Sequence, residues 1–220
     1  MIKQILFNTE MVRAILDGRK TCTRRAVKPR PEGKPTPMTA NSCYPGCFAI
    51  GGTPKVIQPP FQPGDILWVR ETWAEMPYGF VYRADGEEPE GWEPDDHWHP
   101  SIHMPKKAAR LFLRATGIRA ERLKDVTEES ALAEGVPDEW PMSPVYCPYC
   151  KGEGMVGSYH PVSLGYMDID CGHCAKATAR FANLWNSTVN SPDRPVYGWD
   201  ANPWVWVIEF ERCERPEGFV

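Results

Sequence analysis

Trp204-Val205-Trp206-Val207-Ile208-Glu209-Phe210 is a run of β-branched and aromatic residues, and its alternation reads as a strand. Working outward from it, Ile66-Leu67-Trp68-Val69-Arg70-Glu71-Thr72-Trp73, entered through the turn Pro63-Gly64-Asp65, has the same content. Tyr78–Arg83 is a second such strand, and residues 110–116 and 118–123 form a further strand or bent pair. Ile5-Leu6-Phe7 is a short strand, after which Asn8 or Thr9 caps a helix whose apolar positions Met11, Val12, Ile15 and Leu16 run until Gly18 stops it. Thr127 caps a second helix with acids in its first turn and Gly135 as its stop. No Glu or Gln stands three residues after Thr127, so a strict capping box is not expected. A third helix is predicted from about Ala175 to Val189. Short strands interleaved with two or three helices, without regular βαβ units, predict an α+β fold, a small β-barrel with helices packed on it.

The 220 residues, 42% hydrophobic and 25% charged, suit one globular domain with an insertion or two small ones. No apolar run approaches the ~18 residues of a membrane helix, and residues 1–7 lack the features of a signal peptide. A soluble cytoplasmic protein that engages no membrane is expected. Nine of the 23 prolines fall between Pro29 and Pro63, which predicts an irregular loop over residues 27–63. Net charge is only −4, yet its signs are segregated: residues 1–35 carry nine bases and three acids, residues 105–124 seven bases and one acid, and residues 85–96 seven acids and no base. Such segregation either creates a local field that attracts phosphate or marks ordinary solvated faces.

Chemistry is densest at Gly18-Arg19-Lys20-Thr21-Cys22-Thr23-Arg24-Arg25, a cationic, hydroxyl-rich turn where the chain leaves a helix. Cys22 has cations beside it that would activate a thiol; without a clear His partner it reads as a small packing residue. Cys147-Pro148-Tyr149-Cys150 and Cys171-Gly172-His173-Cys174 are paired C-x-x-C knuckles with the spacing of a closed four-thiolate zinc site, structural rather than catalytic. A segment so poor in apolar residues needs a metal to fold. His160 and His173 are alternative ligands, and Cys43 and Cys47, with His97, His99 or His103, are a weaker second set.

The order Gly18-Arg19-Lys20-Thr21-x-Thr23-Arg24, Gly64–Val69, Thr127–Gly135 and Trp204–Phe210 resembles the ASCH domain family, in the larger form encoded by phages and prophages. The resemblance covers residues 5–25, 63–75, 108–136 and 180–213. It implies a PUA-like β-barrel over residues 1–140 and 176–220, with the proline-rich loop and a zinc-knuckle segment at 141–175 as insertions, and a bacterial host cytoplasm if the chain is phage-encoded. One bacterial family member hydrolyses the acetyl amide of N4-acetylcytidine with a Lys, a Thr three residues later and a distant Glu. Matched by motif, these are Lys20, Thr23 and Glu134, the last at the eighth position of the helix that begins at Thr127. Other members are thought to bind or cleave RNA, so a non-catalytic RNA- or DNA-binding module and a nuclease stand beside the amidohydrolase, and the fold does not choose among them.

Amide hydrolysis requires a nucleophile, a base and donors for the oxyanion. Thr23 supplies a hydroxyl. Lys20 is a candidate base if burial or the cations of Arg19, Arg24 and Arg25 lower its pKa, whereas an ionised Glu134 beside it works the other way. The alternative assigns the base to Glu134, with Lys20 and Thr23 polarising the carbonyl. Arg19, Arg24 and Arg25 are candidate phosphate contacts. Trp68 and Trp73 are candidate stacking partners for a base, though core packing is the commoner role of a Trp, and five residues apart the two are expected to face opposite ways.

Overall fold

The computed structural model describes residues 1–86, 88–93, 96–136, 155–160, 165–170 and 176–219. The fold is α+β, built on a five-stranded mixed sheet. Strand β1 (Ile2–Leu6) leads into helix α1 (Thr9–Leu16), then β2 (Cys22–Ala26). Three short strands follow, β3 (Pro35–Pro37), β4 (Phe48–Ile50) and β5 (Val56–Ile57), and then β6 (Ile66–Arg70), β7 (Trp73–Met76), β8 (Gly79–Tyr82) and the long β9 (Phe112–Arg122). The rest comprises α2 (Glu128–Leu132), the hairpin β10 (Met155–His160) and β11 (Gly165–Asp170), α3 (Ala177–Thr188), the short α4 (Arg194–Tyr197) and β12 (Trp204–Cys213). The main sheet runs β1-β6-β9-β12-β2, with β1 parallel to β6 and the other pairs antiparallel. Among the described residues β1 and β2 do not pair with each other, so the sheet has two edges and is not a closed barrel.

β12 is central, and it alternates between two cores rather than between core and water. Trp204, Trp206, Ile208 and Phe210 enter one cluster with Ile5, Phe7, Leu67, Val69 and Leu113. Val205 and Val207 enter a second with Phe181 and Trp185 of α3. A strand covered on both faces is apolar throughout, which accounts for the unbroken run from Trp204 to Ile208. The expected strand pair at 110–123 is one bent strand; its register against β12 shifts between Glu209 and Phe210, the extra residue of a bulge.

The helix signals have direct structural counterparts. Asn8 caps α1, its side-chain oxygen accepting from the Met11 N–H at 2.8 Å, and Gly18 follows with φ +76°. Thr127 caps α2 and does form a reciprocal capping box. The Ser130 hydroxyl supplies the return bond from the Thr127 N–H at 3.0 Å, a short side chain in place of the expected Glu or Gln. The Glu128 carboxylate accepts from the Ala177 N–H at 2.7 Å and from Thr178, so α2 caps the start of α3 across 49 residues. Those hydrogen bonds, from Thr178 above all, hold the Glu128 carboxyl below its ordinary value.

The proline-rich segment is not an irregular loop. It forms a three-stranded antiparallel sheet, β3-β4-β5, and delivers Phe48, Ile50 and Phe61 to buried positions, with Phe48 edge-on to Trp206 at 4.7 Å. Pro35 and Pro37 sit in β3 at the sheet edge, where a missing N–H costs least. Trp68 and Trp73 do not diverge. β6 ends at Arg70 and β7 restarts at Trp73, and that break turns both rings into one cluster with Met104, Phe112 and Phe219. No helix among the described residues is long and apolar enough to cross a membrane.

Candidate functional site: a buried ion cluster at the start of strand 2

The turn after α1 is held by a backbone zipper. Lys20 N–H donates to Ala14 O at 2.9 Å, and the Thr21 and Cys22 N–H groups both donate to Ala133 O at 2.9 and 3.1 Å. Lys20 and Glu134 thereby become bridge partners. Glu134 is not in the helix as its sequence position suggested. α2 ends at Leu132, and Gly135 takes φ +79° with Ala14 and Lys20 so close that a Cβ would lie 2.6 and 2.9 Å from theirs. Only glycine lets the chain turn there and set Glu134 against Lys20.

Lys20 and Glu134, 114 residues apart, meet as an ion pair, Thr23 lines a small cavity with Glu134, and all three are at most 3% exposed. The Lys20 ammonium donates to Glu134 Oε2 at 2.6 Å, to Glu134 O at 2.9 Å and to Cys22 O at 2.8 Å, so each of its three N–H bonds has an acceptor. The second carboxylate oxygen, Oε1, accepts from Arg24 at 3.2 Å. Arg24 also grips Glu121 Oε1 at 3.0 and 2.7 Å and the Ser130 hydroxyl at 3.0 Å. Burial alone would lower the Arg24 pKa; Glu134 and Glu121 outweigh it and raise it. Lys20 and Arg25 both stand 5.5 Å from the Phe7 ring centre, and Arg24 lies 5.4 Å from that of Phe181.

Alternation along β2 separates the roles. Thr23 and Arg25 share the face of Ile208 and Trp206, while Cys22 and Arg24 share that of Val207 and α3. Burial, reinforced by Glu134, pushes the Cys22 thiol up to about 12 despite nearby Arg24 and Lys20, so it stays protonated at neutral pH and packs. Thr23 and Glu134 line a cavity of about 20 Å³ together with Met11, the two arginines Arg24 and Arg25, and Phe181, Leu184, Trp185 and Thr188 of α3; Lys20 is not among its walls. The cavity has room for about one water.

The remaining sequence candidates are distributed differently. Arg19 is exposed, bonded to Asp17 and to Gly135 O. Arg25 donates to Leu6 O at 2.8 Å, and burial lowers its pKa, Glu134 offsetting only part. Trp68 and Trp73 belong to the separate cluster with Phe219 and do not line the cavity beside Thr23. Much of the basic first segment is paired: Arg13 with Glu10, Arg19 with Asp17, Lys20 with Glu134, Arg24 with Glu121 and Glu134. Cys147, Cys150, Cys171, Cys174 and His173 lie outside the described residues. Cys43 and Cys47 are free thiols, and among the described residues no three His, Cys, Asp or Glu side chains are gathered to hold a metal.

Sequence reasoning missed Glu121 and Ser130, which complete the Arg24 cluster, and the roof from α3. Phe181, Leu184 and Trp185 were legible as an apolar helix stripe, but nothing local says which strand the stripe covers. The chain matches no protein-family model, no curated protein and no solved structure.

Proposed function

We propose that the protein is an ASCH-type, PUA-like domain that hydrolyses an acyl amide on a modified nucleoside, N4-acylated cytidine being the favoured class, with Lys20, Thr23 and Glu134 as its reacting groups. The observation that carries the reading is that Glu134, brought to Lys20 from 114 residues away and bonded to it at 2.6 Å, also shares a water-sized cavity with the Thr23 side of β2. The PUA-like reading is that of an incompletely closed barrel, supported by the two sheet edges, β1 and β2, lining one crevice and being bridged by Arg25.

In this mechanism the Thr23 oxygen attacks the amide carbonyl, its proton passing to the Lys20–Glu134 pair, whose members share one short hydrogen bond. The pair returns that proton to the leaving amine as the C–N bond breaks. Water then cleaves the ester on Thr23 and releases the carboxylate. Arg24 keeps Glu134 aimed at Lys20. Lys20 has to release one of its three acceptors to meet a substrate, and the α3 side chains over the cavity have to move aside.

The test is incubation of the full chain with N4-acetylcytidine, read by mass spectrometry. Acetate and cytidine are expected, and Thr23→Val, nearly isosteric, should lower the rate at least about 100-fold with an unchanged melting temperature. An intact substrate would overturn the enzymatic reading. It would leave the second reading, a binding module with a structural ion cluster, which the full hydrogen bonding of Lys20 favours; salt-dependent RNA or DNA binding without turnover is its signature.

For residues 141–175 the proposal is a structural zinc on Cys147, Cys150, Cys171 and Cys174, supported by their spacing alone. Metal analysis of protein purified without chelator should find about one zinc per chain, and a metal-free chain would overturn it.

A further inference from the structure

A larger crevice lies between the two edges of the main sheet, outside the ion cluster. It measures about 490 Å³, within the 300–1,000 Å³ typical of small-molecule sites. Its floor is apolar, made by Ile5, Phe61 and Trp206, all buried. Its cations are Arg25 and Lys28, and no carboxylate side chain lines it among the described residues. The proline-rich segment supplies one wall with Gln58, Pro60 and Phe61, and Lys3 clamps that wall to β1 through Pro60 O at 3.1 Å.

The backbone adds hydrogen-bonding groups. Met1 O and Phe7 N–H bond to β6, so odd residues of β1 face inward, and Gln4 and Leu6 turn their N–H and C=O groups outward. Likewise Thr21 O and Val27 N–H bond to β12, so the Ala26 backbone faces outward from β2. Leu6 O has the Arg25 guanidinium as its partner. That bridge closes one end of the gap and leaves too short an edge for an added peptide strand, which needs at least three residues. The vacant donors and acceptors suit instead the edge of a single planar heterocycle, its faces against apolar side chains and an anionic substituent against Arg25 and Lys28.

We propose that this crevice binds one nucleoside monophosphate unit, the base between the β1 and β2 edges and the phosphate at Arg25 and Lys28. The site does not depend on turnover at Lys20 and Glu134, because it shares neither residue with the ion cluster.

Calorimetric titration of the full chain tests it, with the four ribonucleoside monophosphates, the parent nucleosides, inorganic phosphate and a single-stranded hexanucleotide as probes. None of these carries an acyl amide, so the result is independent of the hydrolase assay. At least one monophosphate should bind ten-fold or more tightly than its nucleoside and than inorganic phosphate. If only the hexanucleotide binds, the unit comes from a strand rather than from a free nucleotide. Lys28→Glu, on an exposed side chain, should weaken binding about ten-fold or more, and Gln58→Ala should change the preference among bases. No binding by any probe, equal affinity for inorganic phosphate, or indifference to Lys28→Glu would overturn the proposal.

Discussion

Glu134→Gln is expected to destabilise the folded chain by about 3–5 kcal/mol, the usual cost of removing one partner from a buried ion pair. The loss is large because Glu134 neutralises two cations at once. Lys20 and Arg24 are almost wholly buried, and each donates to a different carboxylate oxygen at 2.6 and 3.2 Å. A neutral amide in the same place keeps the shape, turns one acceptor into a donor facing an ammonium or a guanidinium, and leaves both charges desolvated. Urea unfolding of the variant and of Lys20→Met/Glu134→Gln gives the decisive comparison: the double variant should recover part of the loss, since only Arg24 then needs compensation and Glu121 supplies it. A loss below about 1 kcal/mol in the single variant would show that the cluster is not a closed ion pair. If the hydrolase reading holds, the same substitution lowers turnover about 10²–10⁴-fold, while Thr23→Val separates chemistry from folding.

Arg110→Ala should cost about 1–3 kcal/mol near neutral pH, less than a wholly buried pair because water reaches the Arg110 side. Glu71 is fully buried, and Arg110 holds it by two bonds of 3.0 and 2.9 Å while bonding Asp85 at 2.7 Å and lying 3.8 Å from the Tyr82 ring centre. Burial raises the Glu71 pKa above its ordinary 4.5, with Arg110 opposing. For an acid raised in the folded state, the associated stability is complete below the unfolded pKa and is lost as pH climbs through the folded one. Without Arg110 the opposition vanishes and the folded value rises further. The variant should therefore be more impaired at pH 8 than at pH 5, because lowering the pH favours the neutral form of Glu71. Urea melts at the two pH values measure this, and a deficit that grows on acidification would refute the account.

How much of this was legible beforehand depended on whether the signal was local. Asn8 and Gly18 bound α1 through hydrogen bonds and a backbone conformation spanning a few residues, so sequence predicted that helix closely. Thr127 was equally visible, but Ser130 as its box partner was not, because a short hydroxyl reaches back only in the geometry that α2 adopts. The prolines of residues 27–63 advertised turns and concealed Phe48 and Phe61, whose burial depends on Trp206 and the rest of the distant core. Glu134 was picked out by resemblance and misplaced on a helix. Its position follows from Gly135 and from the bond between the Cys22 N–H and Ala133 O, contacts more than 100 residues apart.

Much of the local grammar of this protein is written in its linear order: the strands β1, β6 and β12, the helices with their caps and glycine stops, and the residue types that carry the chemistry, but not β2 or β3–β5. Those outcomes depend on torsional preference and on hydrogen bonds within a turn or two. Long-range packing alone brings Glu134 to Lys20 and beside Thr23, ties Arg24 to two carboxylates while Arg25 reaches a crevice, and packs Trp68 with Trp73. Charge pairing and burial act through space between segments whose separation the linear order does not encode.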